Sequence, residues 1–358
     1  MDLALSHARN GHPSPNPHVG AIVVKDGQLI AAAHHERAGG DHAEVVALRA
    51  AGEKAKGATL FVTLEPCNHH GRTPPCADAI IASEVARVVV GARDPNPHVE
   101  GHGIEKLRSA GIEVVTGVRE TQAHAVIAPW DKHVTTGLPY VSLKLALSLD
   151  GRIATRSGAS KWVTGTDARA KVHLLRSRND AVAIGIATAL ADDPRLTVRD
   201  ASGDNPLRVV FDTKLRLPTS SRLVTTARET PTLVLCGPDA PQDVEEELAS
   251  LGVTCLRSPQ SAEGRIDVFS ALRVLAQRGV VSLMVEGGAE LAGSFLAGRF
   301  ADELHVFVAP ILLGPRGRAG AVDWAGPDTP QQAPRIATPA WELVGRDAYV
   351  HGPIVYPE

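Results

Sequence analysis

His42-Ala43-Glu44, Cys67 and Cys76 are the residues whose types and spacing first point to chemistry. Zinc favours imidazole and thiolate, and a catalytic zinc keeps three protein ligands plus an open position for water. One histidine and two cysteines make such a set. Glu44 lies two residues past His42, near enough to face a bound water rather than the metal. Zinc lowers the pKa of its water from ~15.7 toward ~7, and an adjacent carboxylate can then shuttle the proton. Each residue also has a plainer use. Two cysteines can be buried apolar fillers, a histidine can cap a helix, and His69 or His70 could complete a four-ligand structural site.

A second candidate is VSLMVEGGAELAGSF (281–295), which reads as a strand, Gly287-Gly288 and a helix. Paired glycines let backbone N–H groups approach a phosphate, and a helix start adds partial positive charge. A dinucleotide pyrophosphate could sit there, although the same pattern also makes an ordinary strand-to-helix turn. No G-x-G-x-x-G follows the first strand of this half, so an ordinary Rossmann reading is weak.

The elements that must position these residues alternate. A helix at 3–9 precedes a loop stiffened by Pro13, Pro15 and Pro17. A hairpin follows at 21–33, turning at Asp26-Gly27. Helices at 42–51, 74–83 and 103–111 alternate with strands at 58–64, 86–92 and 112–118. In 121–139, a helix followed by Pro129, Gly137 and Pro139 suggests a linker. A second series has strands at 140–148, 181–185, 207–212, 232–236, 253–257, 281–286 and 304–310, and 314–334 reads as an irregular loop. The expected fold class is α/β, with domains at 1–120 and 140–358 joined by a linker at 121–139.

Composition narrows the function classes. The 358 residues suit two domains at ~100–200 residues each. A net charge of −3 excludes a generally polycationic nucleic-acid or membrane binder. Four cysteines are too few for a disulfide scaffold, and Cys236 and Cys255 fall in predicted strands as fillers. Of fifteen histidines, twelve lie at or before His133, so the two halves differ chemically. Among them His12, His18, His34 and His35 read as solvated or structural. The most apolar run, 181–191, is too short to span a bilayer, which takes ~20 residues. The N-terminus MDLALSHARNGHP has no signal-peptide core. The expectation is a cytoplasmic protein with reduced thiols.

The His-x-Glu, Pro-Cys, Cys order is that of zinc deaminases, except that eight residues, NHHGRTPP, separate the cysteines. With that insertion, PNPHVGAIVV (15–24), ERAGGDHAEVVAL (36–48), TLEPCNHHGRTPPC (63–76) and DPNPHVEGHG (94–103) resemble the bifunctional deaminase/reductase family of riboflavin biosynthesis. Its reductase half is resembled by LKLALSLDGRIAT (143–155), SKWVTGTDAR (160–169), ATALADDPRLTVR (187–199), NPLRVVFDT (205–213) and VEGGAELAGSF (285–295). The segment 128–139 departs from the family pattern.

The resemblance implies a cytidine-deaminase-like α/β/α layered domain followed by a dihydrofolate-reductase-like α/β domain. It implies zinc on His42, Cys67 and Cys76, with Glu44 as the proton carrier. Asn16 and His69 would meet the substrate, His70 would be a surface or pocket-wall residue, and Glu65 would order its turn. NADPH would contact Ala146, Trp162, Thr164, Thr188, Asp192, Thr213, Gly287, Gly288, Ala289 and Ser294. Lys144, Ser160, Arg176, Leu196, Arg199 and Glu286 would stand on the substrate side. Arg176 and Arg199 suit a phosphate, and either Lys144 or Glu286 would be the acid or base of the reduction. Apart from the resemblance, their position just after FDT (211–213) makes Lys214 or Arg216 the expected reader of the 2′-phosphate of NADPH. The partner would be a phosphorylated pyrimidine, with no nucleic acid or membrane, and the chain would form a homo-oligomer, either dimer or tetramer. Two other readings stay open: a nucleobase or tRNA-type zinc deaminase with a divergent second domain, and a zinc-stabilised binding protein with dead sites.

Overall fold

The computed structural model describes residues 1–69, 74–96, 102–199, 201–314 and 320–357. Half of the insertion between the cysteines, His70 to Thr73, lies outside them, as does part of 94–103. The chain divides into two compact units, Met1–Leu138 and Pro139–Glu358.

The first unit begins with α1 (Asp2–Ala8), then the hairpin of β1 (Gly20–Lys25) and β2 (Gln28–His34). Both residues of its turn, Asp26 and Gly27, have positive φ (51° and 75°), the requirement of a two-residue turn whose twist matches the strands. Next come α2 (Ala43–Ala51), β3 (Thr59–Leu64), α3 (Cys76–Ala82), β4 (Arg87–Ala92), α4 (His102–Ser109), β5 (Glu113–Val115) and α5 (Glu120–Thr136). Among the described residues the sheet runs β2-β1-β3-β4-β5, antiparallel at the hairpin end and parallel from β3 to β5. Helices α1 and α5 pack together, as do α2 with α3 and α3 with α4, so helices cover both faces. The segment expected as a linker is mostly α5. It runs through Pro129 and buries Ala123 and Ile127 in the first unit's core.

The second unit contains β6 (Tyr140–Ser148), α6 (Thr166–Arg176), β7 (Ala181–Gly185), α7 (Ile186–Asp192), β8 (Leu207–Phe211) and α8 (Arg222–Thr225). It continues with β9 (Thr232–Cys236), α9 (Gln242–Ser250), β10 (Val253–Arg257), α10 (Val268–Gln277), β11 (Ser282–Glu286) and α11 (Ala289–Ala297). Last come β12 (Glu303–Ala309), β13 (Arg335–Ile336), β14 (Ala340–Val344) and β15 (Asp347–Val355). The described strands form one sheet in the order β10-β9-β8-β7-β11-β6-β12-β15-β13, with β14 also pairing with β15. Pairing is parallel from β10 to β12, and β15 runs antiparallel to β12. The central strand β7 reads as an unbroken apolar run, and β11 carries Leu283-Met284-Val285 between Ser282 and Glu286, because both strands are buried on both faces. No strand was expected after 310, so β13, β14 and β15 add a C-terminal antiparallel edge.

One close approach fixes the turn that carries Cys67. A Cβ on Gly103 of α4 would lie 1.8 Å from the Pro66 carbonyl oxygen. Glu65 ties the same turn down, accepting from the backbone N–H of Ile104 (3.3 Å) and of Asp94 (3.4 Å). Gly103→Ala must therefore push α4 away from the turn. The expected cost is about 1–3 kcal/mol, the range for overpacking, with weaker zinc retention by the first unit. Thermal melts and metal analysis of the purified variant check this, and an unchanged melting temperature with full zinc would contradict it.

Candidate active sites

In the first unit three segments meet beyond the end of β3. His42 is the N-cap of α2, Cys67 follows the β3 turn, and Cys76 is the first residue of α3. The ligand atoms of the three lie within 4.8 Å of one another. His42 Nδ1 stands 3.0 Å from Cys76 Sγ and 3.6 Å from Cys67 Sγ. A tetrahedral zinc with ordinary bond lengths separates nitrogen from sulfur by about 3.5 Å, so the donor set fits the ion in type and spacing. The Cys67 thiol is pushed down to about 4, chiefly because it accepts a hydrogen bond from the Cys76 thiol, with burial opposing and His42 assisting. The thiolate is the form that binds metal.

Glu44, in the first turn of α2, is buried. Burial pushes its carboxyl up to about 7, against the pull of His42. A group titrating there can both accept and return a proton at neutral pH. Asn16 reaches the cluster through His35. His35 Nδ1 must carry a proton, because its partner at 3.0 Å is the Asp41 carbonyl oxygen. Its Nε2 therefore accepts from Asn16 Nδ2, also at 3.0 Å. The ring of His35 meets the ring of His42 edge-on at 5.1 Å. Sequence reasoning treated His35 as solvated or structural; it is buried, and burial pushes its pKa down. Its only sequence signal was a position at the end of the hairpin. His69 is exposed, two residues after Cys67.

In the second unit one cleft of about 960 Å³ gathers every residue that the resemblance assigned to the reductase half. Lys144, Ala146, Ser160, Trp162, Thr164, Arg176, Thr188, Asp192, Leu196 and Arg199 line it, with Thr213, Glu286, Gly287, Gly288, Ala289 and Ser294. Gly287 and Gly288 have φ of 73° and 87°, and a Cβ on Gly288 would meet Thr188 Oγ1 at 3.1 Å. Ser160 Oγ donates to Asp192 Oδ1 at 2.6 Å, closing one wall of the cleft. Sequence reasoning missed His173, Arg222 and Arg265, which also line it; isolated histidines and arginines carry no motif. Of the two residues expected near a 2′-phosphate, Arg216 lines the cleft, and Lys214 is not among its lining residues.

At the floor, Arg176 Nε and Nη2 donate to the two carboxylate oxygens of Glu286 at 2.5 and 2.8 Å. Arg176 Nη1 donates to the Thr197 carbonyl oxygen at 3.1 Å. Burial pushes the Glu286 carboxyl up, but Arg176 and then Lys144 outweigh it and hold Glu286 below its ordinary value. Lys144 lies beside Glu286 in register on β6, and burial pushes its ammonium down despite the pull of that carboxylate.

The comparisons agree with this geometry. The family model for the cytidine and deoxycytidylate deaminase zinc-binding region matches residues 1–92, and that for the RibD C-terminal domain matches residues 139–350. The riboflavin biosynthesis protein RibD of Escherichia coli (strain K12) is 42% identical, aligned over 98% of this chain and 97% of that protein. The chain belongs to the RibD family. RibD of Acinetobacter baumannii has a solved structure with a TM-score of 0.86 and 39% identity, covering 100% of this chain and 98% of that one. A Thermotoga maritima diaminohydroxyphosphoribosylaminopyrimidine deaminase/5-amino-6-(5-phosphoribosylamino)uracil reductase also scores 0.86, at 37% identity, covering 100% and 97%. Membership gives the fold classes expected above, a cytidine-deaminase-like unit and a dihydrofolate-reductase-like unit. The chain is a bifunctional enzyme of riboflavin biosynthesis, a zinc-binding deaminase joined to a reductase that uses NADPH.

The Arg176–Glu286 pair yields a stability prediction. Removing one partner leaves a buried charge uncompensated, at a cost of about 3–5 kcal/mol. Arg176→Met and Glu286→Leu should each destabilise the second unit by that order, and the double variant by clearly less than the sum. Denaturant unfolding of the three variants measures it, and additive losses would contradict a direct pair.

Proposed function

We propose that the first unit, through Leu138, removes the 2-amino group of 2,5-diamino-6-(5-phosphoribosylamino)pyrimidin-4-one. The second unit, from Pro139, then reduces the ribosyl side chain to ribityl, giving 5-amino-6-(5-phosphoribitylamino)uracil. The observation that carries this reading is the presence in one chain of the His42, Cys67, Cys76 and Glu44 constellation and of the cleft built on Lys144, Glu286 and Gly287-Gly288.

Zinc held by His42, Cys67 and Cys76 would acidify a water toward a pKa of ~7 when bound. The Glu44 carboxylate takes a proton from the attacking water and returns it to the leaving nitrogen, so that ammonia departs. Asn16, held by His35, orients the pyrimidine, with His69 at the rim. In the second unit NADPH supplies the hydride when bound. The Gly287-Gly288 turn and the start of α11 offer backbone N–H groups to its pyrophosphate. Ala146, Trp162, Thr164, Thr188, Asp192, Thr213, Ala289 and Ser294 shape the rest of its seat. Ser160 and Leu196 hold the substrate opposite. Arg199 is exposed in the cleft and takes the substrate phosphate, while the fork of Arg176 is turned to Glu286. Because Arg176 holds Glu286 anionic, Lys144 is the acid that opens the sugar ring, and Glu286 positions it.

The assembly we infer is a homo-oligomer, dimer or tetramer. Support comes from β14, where Trp341 and Leu343 are 71% and 79% exposed, an apolar load unusual for an open edge. Free thiols at all four cysteines support a reducing, cytoplasmic setting. No helix among the described residues is long and apolar enough to cross a membrane.

Two experiments test the assignments. Glu44→Ala should keep its zinc, lose ammonia release by a factor of at least about 10², and still oxidise NADPH on the deaminated intermediate. Retained deamination would remove Glu44 from the proton path. Arg216→Ala should raise the KM for NADPH by roughly tenfold or more, the loss of a charge-assisted hydrogen bond, and leave the KM for NADH unchanged. An equal effect on both cofactors would contradict a 2′-phosphate contact.

A further inference from the structure

Outside the deaminase cluster, the described residues bring together one other set of metal-ligating side chains: Glu303, His305 and His351. Strands β12 and β15 pair antiparallel with His305 opposite His351. Glu303 lies two residues before His305, so its side chain shares their face of the sheet. Only pairing register unites the three, and neither candidate active site has a use for them.

Their geometry is that of ligands around a point. Glu303 Oε1 stands 3.7 Å from His305 Nε2 and 3.9 Å from His351 Nδ1, and all three ligand atoms fall within 4.8 Å. A direct imidazolium–carboxylate hydrogen bond would close to about 2.7–2.9 Å. Two ligands of a tetrahedral zinc, each bonded at about 2.0–2.1 Å, stand about 3.3–3.4 Å apart. The observed spacing is close to that figure and too long for direct hydrogen bonds.

The groups around the cluster aim these atoms inward. His305 Nδ1 is 2.6 Å from the Tyr349 hydroxyl. In the tautomer where Nδ1–H donates to that oxygen, the Nε2 lone pair faces Glu303, the arrangement usual for a ligating histidine whose other nitrogen is held. Tyr349 stacks on Phe307 at 4.4 Å and on His351 at 4.8 Å, which restrains both rings. His305 is buried.

We propose that Glu303, His305 and His351 form a second divalent-metal site, which takes a zinc-class ion and clamps β12 to β15 in the reductase unit. Two imidazoles and one carboxylate suit zinc and its borderline neighbours; without a thiolate the set does not favour copper(I). The clamp sits one strand from the reductase floor, since His305 is in register with Lys144 of β6. It stiffens the edge against which that lysine is held.

Counting zinc tests the proposal. The full chain is stripped with a chelator under reducing conditions, reloaded with zinc alone, freed of loosely held ion by gel filtration and analysed for metal. Wild type should hold two equivalents, and the Cys67→Ser/Cys76→Ser variant one. Adding Glu303→Gln to that variant should leave none, and His351→Ala alone should leave one. The melting temperature of the double-cysteine variant should rise with zinc only when Glu303 is present. One equivalent in wild type with none in the double-cysteine variant would overturn the site, as would a second zinc that survives both Glu303→Gln and His351→Ala. If either substitution at the cluster prevents folding, the wild-type and double-cysteine counts still decide.

Discussion

Parallel strand pairing is the constraint on which both active sites rest. Parallel neighbours place their carboxyl ends at one edge, and the loops that leave them converge there. In the first unit β3 and β4 run parallel, so the turn carrying Cys67 leaves beside the segment that contributes Asp94. In the second unit β6, β7, β8 and β11 run parallel, so Glu286, with Lys144 in register beside it, Thr213 and the Gly287-Gly288 turn arrive at one cleft. Helices start where these strands end. The N-terminus of α3 delivers Cys76, and that of α11 lines the cleft where the dinucleotide is proposed to sit.

Burial then sets the chemistry of each site. The two carboxylates proposed to act have opposite fates for a physical reason. Glu44 lacks a cationic fork, so burial lifts it toward neutrality, where it can carry a proton. Glu286 is equally enclosed but bonded twice by Arg176, so it stays charged, as the positioning role proposed for it requires. Lys144, desolvated beside it, is the group left able to give up a proton.

Much of this was legible in the residues themselves. The hairpin was marked by Asp26-Gly27, and the buried parallel strands by short apolar runs that need no partner to be recognised. The His42, Cys67 and Cys76 cluster, the proposed zinc ligands, was legible because His-x-Glu and Pro-Cys are local patterns. Helix α5 was cut short because Pro129 reads as a breaker, although packing of Ala123 and Ile127 outweighs the hydrogen bond that the proline removes. Strand β14 was missed because it is exposed at nearly every position and shows no alternation, and β15 because Gly352 and Pro353 interrupt it. Contacts made by long-range pairing left no trace: Arg176 with Glu286, Asn16 with His35, and the meeting of His305 with His351.

The central claim is that one chain couples two successive reactions, deamination first. The most direct measurement follows ammonia release and NADPH oxidation together, on the diamino substrate, with the zinc-loaded full chain. The account requires ammonia to appear before NADPH is consumed, with one NADPH oxidised per ammonia released. NADPH oxidation that runs ahead of ammonia release, or continues on the diamino substrate after zinc is removed, would contradict it.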